Sequence, residues 1–279
     1  EEALSYNDTN ALTQNWRNGV GNNMPGPRLE ASFSTPIAGT AIYSGKALVL
    51  SMYLKAPEWT TDFHKSLFTL TGSNSFGDSN KDSIEIYFSG SSNNYRNLYV
   101  KRHYSNTSSK NAGVQTLGPY NYDSLLGTNA YHHHVFWFTD THFHVHVDGA
   151  STANIGDAWS TSTTTGEVYN STNVDFHSWA LIRFFGASYG TIDQGWYENQ
   201  MVIDETQLHF ISQGGGGGGA TTQIKAFSQA LYNGGSKPPT NLSSSNQHSY
   251  YAWGDHATDS TSAVRNQAST AATLTGILT

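Results

Sequence analysis

Histidine is the residue type in this sequence whose spacing is best suited to chemistry. The chain has 12 histidines, and six of them lie within residues 132–146. His142, His144 and His146 alternate with apolar residues, and in a β-strand this period of two places all three imidazoles on one face. Imidazoles in this pattern can ligate zinc, copper, nickel or iron. The simpler interpretation, which we favour, is a solvated strand face with histidine as its polar residue.

A second group of histidines precedes this triplet. Residues 131–138 form another alternating segment, and the short turn 139–141 predicts that the two segments pair as an antiparallel hairpin. Histidines of the first segment share a face with the triplet if the register allows. We expect no cofactor, and a divalent metal is the open alternative. The candidate ligands are His132, His134, His142, His144 and His146.

Two strings match catalytic or cofactor motifs and one acidic pair is a further candidate, but the surroundings argue against each. Ser188 lies in a GxSxG string, but no helical period follows it, as a nucleophile elbow requires. Asp204 and Glu205 are adjacent, so they point to opposite faces of a strand, and the E-x-D-x-x-E string of laminarinase-type jelly rolls is absent. The six glycines 214–219 match GxGxxG without a βαβ unit around them. We therefore expect a protein that is not an enzyme.

Composition excludes several further classes. The chain of 279 residues has no cysteine, so a disulfide framework, a thiolate zinc site and a cysteine nucleophile are excluded. Its net charge of -7 has the wrong sign for electrostatic binding of nucleic acid. No apolar run approaches the roughly 20 residues of a membrane span. We therefore expect that the protein does not bind nucleic acid and does not insert into a membrane.

The segments that must position these residues are short and alternating. Nine of them lie between residues 29 and 211, separated by clusters of Gly, Asn, Ser and Asp. Short strands with turn signals between them and no helical period predict an all-β antiparallel sandwich. Ile84, Ile86 and Phe88 alternate with polar residues, which predicts one buried and one solvent face.

The composition changes sharply along the chain and divides it into four parts. These are an N-terminal extended segment (1–28), the β-sandwich (29–212), a glycine linker (213–219) and an extended C-terminal tail (220–279). Thr222 is placed to cap a short helix that runs through Tyr232. The remainder of the tail is too thinly apolar to fold alone, so we expect it to need a partner surface.

Aromatic side chains in loop-like stretches are the more promising surface signal. Sugars present flat C–H faces that pack on aromatic rings, and a ring with a polar tip suits such half-wet contacts. The alternative is that these rings cover the ends of the sandwich or form an oligomer interface. The candidate glycan-binding residues are Tyr95, Tyr104, Tyr120, Tyr122, Trp159, Tyr189, Trp196 and Tyr197.

The hairpin resembles a laminin-G/concanavalin-A-like domain. That family has a W-H-H-V strand, a short turn and an L-x-V-D-G strand, and here Tyr131 takes the place of the Trp in Y-H-H-H-V, with F-H-V-H-V-D-G following. Residues 47–55 and 201–210 are similar to further strands of the family. The resemblance implies a jelly-roll β-sandwich over 29–212 that binds glycan or protein. Some members bind calcium on a rim, for which Asp148 and Asp157 are the candidates.

The tail resembles a segment found in bacteriophage tail-fibre and related virion proteins. K-P-P-T at residues 237–240 is followed by Y-Y-A-W-G-D-H-A at residues 250–257, where the family has K-x-P-T and Y-x-W-G-x-H-A. The family continues with Gly-Tyr, and this chain does not. The resemblance implies a role in assembly for Tyr250, Tyr251, Trp253 and His256.

Taken together, these features predict a non-catalytic bacteriophage virion appendage, such as a tail fibre or adhesin. It would act at the virion surface, bind host-surface polysaccharide through the lectin-like sandwich, and assemble with other virion proteins and with copies of itself, as a homotrimer by analogy with fibres. The alternatives are a purely structural or capsid-decorating virion protein and, less favoured, a glycan depolymerase.

Overall fold

The computed structural model describes the secondary-structure elements of the chain and a few residues beside them. The described residues are 4–5, 28–32, 46–55, 63–71, 83–90, 97–104, 113–122, 130–139, 142–150, 155–158, 181–184, 202–212, 221–236, 238, 246–251, 263–264 and 274–277. Within these ranges the chain forms fifteen strands and one α-helix, which a short 3₁₀ turn follows at Asn233–Gly235.

Short strands make up most of the elements, and a single helix interrupts them late in the chain. In chain order the elements are β1 (Leu4–Ser5), β2 (Arg28–Ser32), β3 (Lys46–Lys55), β4 (Phe63–Thr71), β5 (Ser83–Gly90), β6 (Asn97–Tyr104), β7 (Gly113–Asn121), β8 (His132–Thr139), β9 (His142–Val147), β10 (Ile155–Ala158), β11 (Leu181–Phe184), β12 (Val202–Ser212), α1 (Thr221–Tyr232), β13 (Asn246–Tyr251), β14 (Ala263–Val264) and β15 (Leu274–Ile277).

The strands form two antiparallel sheets. Sheet A has the order β1-β12-β3-β8-β9-β10, with β13 also paired to β12. Sheet B has the order β14-β15-β2-β11-β4-β5-β6-β7. The sheets meet through side chains such as Tyr122 after β7, whose ring stacks on His134 of β8 at a centroid distance of 5.6 Å. The predicted all-β antiparallel sandwich is confirmed.

Alternation along each strand builds the core between the sheets. Ile84, Ile86 and Phe88 of β5 are fully buried, as the sequence pattern predicts. Opposite them in sheet A, Phe136 of β8 lies beside Leu50 of β3 and Val145 of β9, and all three are fully buried. Burial of these apolar side chains is the main source of stability for such a sandwich.

Helix α1 covers the other face of sheet A. Ile224, Phe227 and Leu231 recur at helical spacing and are buried against Val135 and Trp137 of β8, together with β3 and β12 side chains. The short helix predicted through Tyr232 is therefore present and ends there, but it begins at Thr221, so Thr222 lies in its first turn and is not its cap. In the part of the chain that the structure describes, no helix is long and apolar enough to span a membrane.

The described parts of the tail find their partner surface on the sandwich itself. Besides α1, strand β13 pairs with β12, from Thr206↔Tyr251 to Phe210↔Asn246. Strand β15 pairs with β2 of sheet B. An edge strand offers unpaired N–H and C=O groups to any nearby extended segment, which is why a thinly apolar tail can dock there.

We predict that Phe227→Ala strongly destabilises the protein. The Phe227 ring packs edge-on against Trp137 at 5.7 Å and against His209 at 5.4 Å, and only 5% of the residue is exposed. Truncation should lower the free energy of unfolding by about 3 kcal/mol, measured by urea denaturation. The matched control is Gln229→Ala at an exposed position of the same helix. Equal midpoints for the two variants would contradict the packing of α1 on sheet A.

Candidate functional site

The ends of three strands of sheet A bring a group of polar and aromatic residues together. Strand β3 ends at Lys55, β8 begins at His132 and β12 begins at Val202, and antiparallel pairing places these ends side by side. Asp148 follows β9 at the same end, because Val147 pairs with His134. We call this group the Tyr131 cluster; its members are Lys55, Tyr131, His132, Asp148 and Asp204.

Tyr131 is the aromatic surface of the cluster. It is 46% exposed, which makes it the one exposed large hydrophobic side chain among the residues whose side-chain burial the structure describes. The Nζ atom of Lys55 lies 5.7 Å from the centroid of its ring, within the range of a cation–π contact. Partial burial, and then the negative charge of Asp204, raise the pKa of the Tyr131 hydroxyl. The ring is thus bordered by a cation and an anion.

Asp148 fixes the hairpin end beside this ring. Its Oδ1 accepts a hydrogen bond from the His133 backbone N–H at 2.9 Å, and its own N–H donates to His133 O at 2.8 Å. Its Oδ2 accepts from His132 Nδ1 at 2.6 Å. Asp148 has a φ of 51°, in the left-handed region that Asp tolerates better than most residues. One carboxylate therefore holds both the turn and a histidine of the cluster.

The turn after Asp148 also receives the end of α1. Gly149 has a φ of 66°, and a Cβ on it would lie 2.5 Å from Cδ1 of Tyr232. Only glycine meets both conditions, since a larger residue would be strained and would collide with the ring. Beyond the helix, Tyr53 donates a hydrogen bond to Ser236 O at 3.4 Å. Contacts with the end of α1 and with Ser236 therefore fix the backbone next to the cluster.

The arrangement suits an uncharged polyhydroxyl ligand. An exposed ring can pack on the C–H face of a sugar, while an ammonium group and carboxylates can donate to and accept from its hydroxyl groups. The charges are of both signs, so the cluster does not select strongly for an anion or a cation. A carbohydrate is therefore the ligand class that its chemistry fits best.

A second polar group lies buried between α1 and sheet A. Ser51 Oγ is 2.9 Å from His133 Nε2, and His209 Nε2 donates to Gln207 Oε1 at 2.9 Å. These four residues are fully buried. Burial, and then the proximity of His134, lower the pKa of His133 to about 3, and burial lowers the pKa of His209 to about 3. Both imidazoles are neutral at pH 7. Their hydrogen bonds, one between β3 and β8 and one within β12, lie on the face of sheet A that α1 covers.

The structure separates the predicted glycan-binding rings. Tyr122 is completely buried against Phe88 and His134, so its ring is not available to a sugar. Tyr120 is partly buried and donates a hydrogen bond to Asp157 Oδ2 at 3.1 Å, which joins the edges of the two sheets. Tyr104 is the last residue of β6. The remaining candidates, which are Tyr95, Trp159, Tyr189, Trp196 and Tyr197, lie outside the described residues.

The predicted histidine ligands do not form one set. Trp137↔His144 and Val135↔His146 are paired positions, so the triplet shares the α1 side of sheet A, whereas His132 and His134 point into the sandwich. The triplet face is also not simply solvated, because His146 is only 3% exposed. Among the described residues, no three His, Cys, Asp or Glu side chains are grouped to hold a metal ion.

The other predicted residues are also apart from one another. Asp157 pairs with Phe143, five residues along β9 from Asp148, which is about 17 Å in a strand, so the two carboxylates do not share a calcium site. Tyr250 and Tyr251 lie in β13 beside β12. Trp253, His256 and the Ser188 of the GxSxG string lie outside the described residues.

The sequence did not lead to a functional assignment for three aromatic residues, which are Tyr131, Tyr87 and Tyr99. Tyr131 matched a family position but was not proposed as a binding residue, although an aromatic residue directly before a strand is a usable signal. Tyr87 and Tyr99 face away from the core of sheet B and stack at 5.1 Å with an angle of 5°. Their signal was the alternation with Ile86 and Phe88. Burial, and then the charge of Glu85, raise the pKa of Tyr87 to about 12.

No protein-family model matches this chain, and no curated protein matches it. Solved structures with a similar fold include a glycoside hydrolase family 16 endo-glucanase from Bacteroides ovatus, with 16% identity, a TM-score of 0.37, and 66% of this chain and 80% of that chain covered. A polysaccharide lyase of family 18 has 11% identity and a TM-score of 0.36, covering 67% and 79%. The enzymatically active domain of tailspike protein 2 from bacteriophage CBA120 has 12% identity and a TM-score of 0.43, covering 88% and 32%. The likeness is one of fold alone, that of an antiparallel β-sandwich.

These comparisons correct the expectation that the chain is not an enzyme. Several of the similar structures are named as glycoside hydrolases, a polysaccharide lyase and an alginate lyase, and the tailspike domain is named as enzymatically active. Two others are named as binding domains of botulinum neurotoxins. The missing E-x-D-x-x-E string excludes one arrangement of catalytic carboxylates and not polysaccharide cleavage in general.

We predict that His209 makes the stability of the protein depend on pH. Its native pKa of about 3 lies below the ordinary 6.5, so between these values the unfolded chain binds a proton that the native state cannot. The part of the folding free energy that depends on neutral His209 is therefore fully present above pH 6.5 and is lost progressively as the pH falls from 6.5 towards 3. At pH 5 the loss due to His209 should be about 2 kcal/mol. Urea denaturation at pH 7.5 and pH 5 should show this loss in the wild type and a correspondingly smaller one in His209→Gln; identical losses would refute the assignment.

Proposed function

We propose that this chain is the polysaccharide-engaging β-sandwich of a bacteriophage appendage, and that it contacts a host-surface polysaccharide at the Tyr131 cluster. The observation that carries the proposal is the exposed Tyr131 ring, with Lys55 over its face and Asp204 beside it. An exposed ring beside fixed polar groups offers the combination of apolar and polar contacts that a sugar can use.

The rigidity of the cluster supports a role in recognition. Asp148 holds the hairpin end through three hydrogen bonds, and the turn at Gly149 packs on Tyr232 of α1. A ligand that meets such a preorganised surface loses less free energy to the ordering of side chains. Polysaccharides repeat the same unit many times, so several copies of a modest site on one particle give strong attachment through effective concentration.

The assignment to a phage appendage rests on the tail. The string W-G-D-H-A at residues 253–257 resembles tail-fibre segments, and it follows directly on the β13 segment that docks on sheet A. In this proposal the chain works on the outside of a virion, and its partners are other virion proteins, further copies of itself and the host polysaccharide. The absence of cysteine suits a particle that assembles in a reducing cytoplasm.

We predict that Tyr131→Ala weakens polysaccharide binding at least tenfold, because it removes the stacking surface; a tenfold change corresponds to about 1.4 kcal/mol. The measurement is binding of the full chain to an array of bacterial surface polysaccharides, followed by titration of the best ligand. Reducing-end release from the same ligand is recorded in parallel, so that cleavage is detected together with binding. Tyr131→Trp should retain binding, since it preserves an aromatic platform.

The matched control is Tyr99→Ala, which removes a partly buried tyrosine from the outer face of sheet B. The proposal requires this variant to bind as the wild type does. If Tyr99→Ala lost binding while Tyr131→Ala bound fully, the proposal would be wrong and the binding site would lie on sheet B. Absence of both binding and cleavage by the wild type would favour a purely structural virion protein.

A further inference from the structure

Two histidines of β8 are held in the same tautomer. His132 Nδ1 lies 2.6 Å from the Asp148 carboxylate, which can only accept, so this nitrogen carries the proton. His134 Nδ1 lies 2.8 Å from the backbone oxygen of His132 and carries its proton for the same reason. In the neutral rings, each Nε2 atom therefore carries no proton and has a free lone pair.

Both lone pairs are buried and lack a hydrogen-bond partner. His132 Nε2 and His134 Nε2 are each covered from solvent and accept no hydrogen bond, although one-fifth of the His132 side chain is exposed. The two residues lie on the same face of β8 and are separated by two strand positions, about 6.6 Å. Rings at this spacing can direct their Nε2 atoms to one common ion.

A third unsatisfied atom belongs to the ring that stacks on His134. Tyr122 is completely buried, its ring lies 5.6 Å from that of His134 with an angle of 18°, and its hydroxyl has no hydrogen-bond partner. The neighbouring side chains are apolar: Met52 and Leu54 pair with His134 and His132, and Phe136 stacks on His134 at 5.8 Å. Neither imidazole lone pair receives a hydrogen bond from these neighbours.

We propose that His132 Nε2, His134 Nε2 and the Tyr122 oxygen bind a transition-metal ion inside the sandwich, of the class that prefers imidazole ligands, such as Zn²⁺. The surroundings match those of known metal-binding histidines, which donate their other N–H to a carboxylate or a backbone carbonyl. Asp148 does this for His132, and the His132 carbonyl does it for His134. The third ligand is a phenol, so the site differs from any grouping of three His, Cys, Asp or Glu side chains, none of which is found in the described ranges.

This site is distinct from the triplet His142, His144 and His146, which lies on the opposite face of sheet A. It also differs from the proposed polysaccharide contact, since the exposed ring of Tyr131 and the carboxylate of Asp204 do not take part in it. His132 and Asp148 belong to both groups; here His132 is a ligand, and Asp148 acts only as a positioning residue that orients the His132 ring.

The test uses the full chain, stripped with EDTA, dialysed against Zn²⁺ and analysed for metal by mass spectrometry. We expect one Zn²⁺ per chain and a rise in the melting temperature when Zn²⁺ is added, because an ion that binds only the native state stabilises it. His134→Gln should abolish both effects. Tyr122→Phe, which removes a single oxygen, and Asp148→Asn should each weaken Zn²⁺ binding about 10–100-fold.

His144→Gln is the matched control, because it removes an imidazole from the same hairpin on the other face. It should bind Zn²⁺ as the wild type does. Circular dichroism of the metal-free variants verifies that each retains the fold, and Tyr122→Phe provides the result if His134→Gln fails to fold. The proposal is overturned if the wild type binds no Zn²⁺, if binding is lost in His144→Gln, or if Tyr122→Phe and Asp148→Asn bind with unchanged affinity.

Discussion

Strand β8 is buried on both faces, and this constraint shapes most of the molecule. Its residues from His133 to Thr139 are all buried, since one face meets sheet B and the other lies beneath α1. A polar side chain in such a strand has no solvent face on which to satisfy its hydrogen bonds, so it must find its partners inside the protein. Each of the three consecutive histidines at the start of β8 does so at one ring nitrogen. His133 pairs with Ser51, while its neighbours take their partners from Asp148 and from the backbone.

The alternation of apolar residues was enough to predict the architecture. Ile84, Ile86 and Phe88 indicated a one-sided strand, and the short turn after residue 138 indicated the hairpin, because both signals are local. The faces of the hairpin were not predictable in the same way. Alternation along a strand predicts that His132 and His134 share a face. Only the register of β8 against β9 shows that His144 lies on the opposite face.

The site was predictable only in part for a related reason. Tyr131, Asp148 and Asp204 each belong to a segment that resembled a family motif, yet their proximity depends on the order of β12, β3, β8 and β9 in the sheet. Tyr120 and Tyr122 were predicted to be surface rings because they lie in or beside loop-like stretches of the sequence. The structure places them at the join between the sheets, where Tyr120 reaches Asp157 and Tyr122 reaches His134. A ring beside a turn can cover an edge of the core as readily as it can face solvent.

The pairing of β15 with β2 has a consequence for how the protein folds. Thr275 lies opposite Glu30, so one sheet joins positions that are 245 residues apart in the sequence. Contacts of this separation require the closure of a very long loop before they contribute any stabilisation, and proteins rich in them fold slowly. During synthesis, β2 leaves the ribosome long before its neighbour exists. Its open edge must therefore remain soluble for many seconds before β15 can complete sheet B.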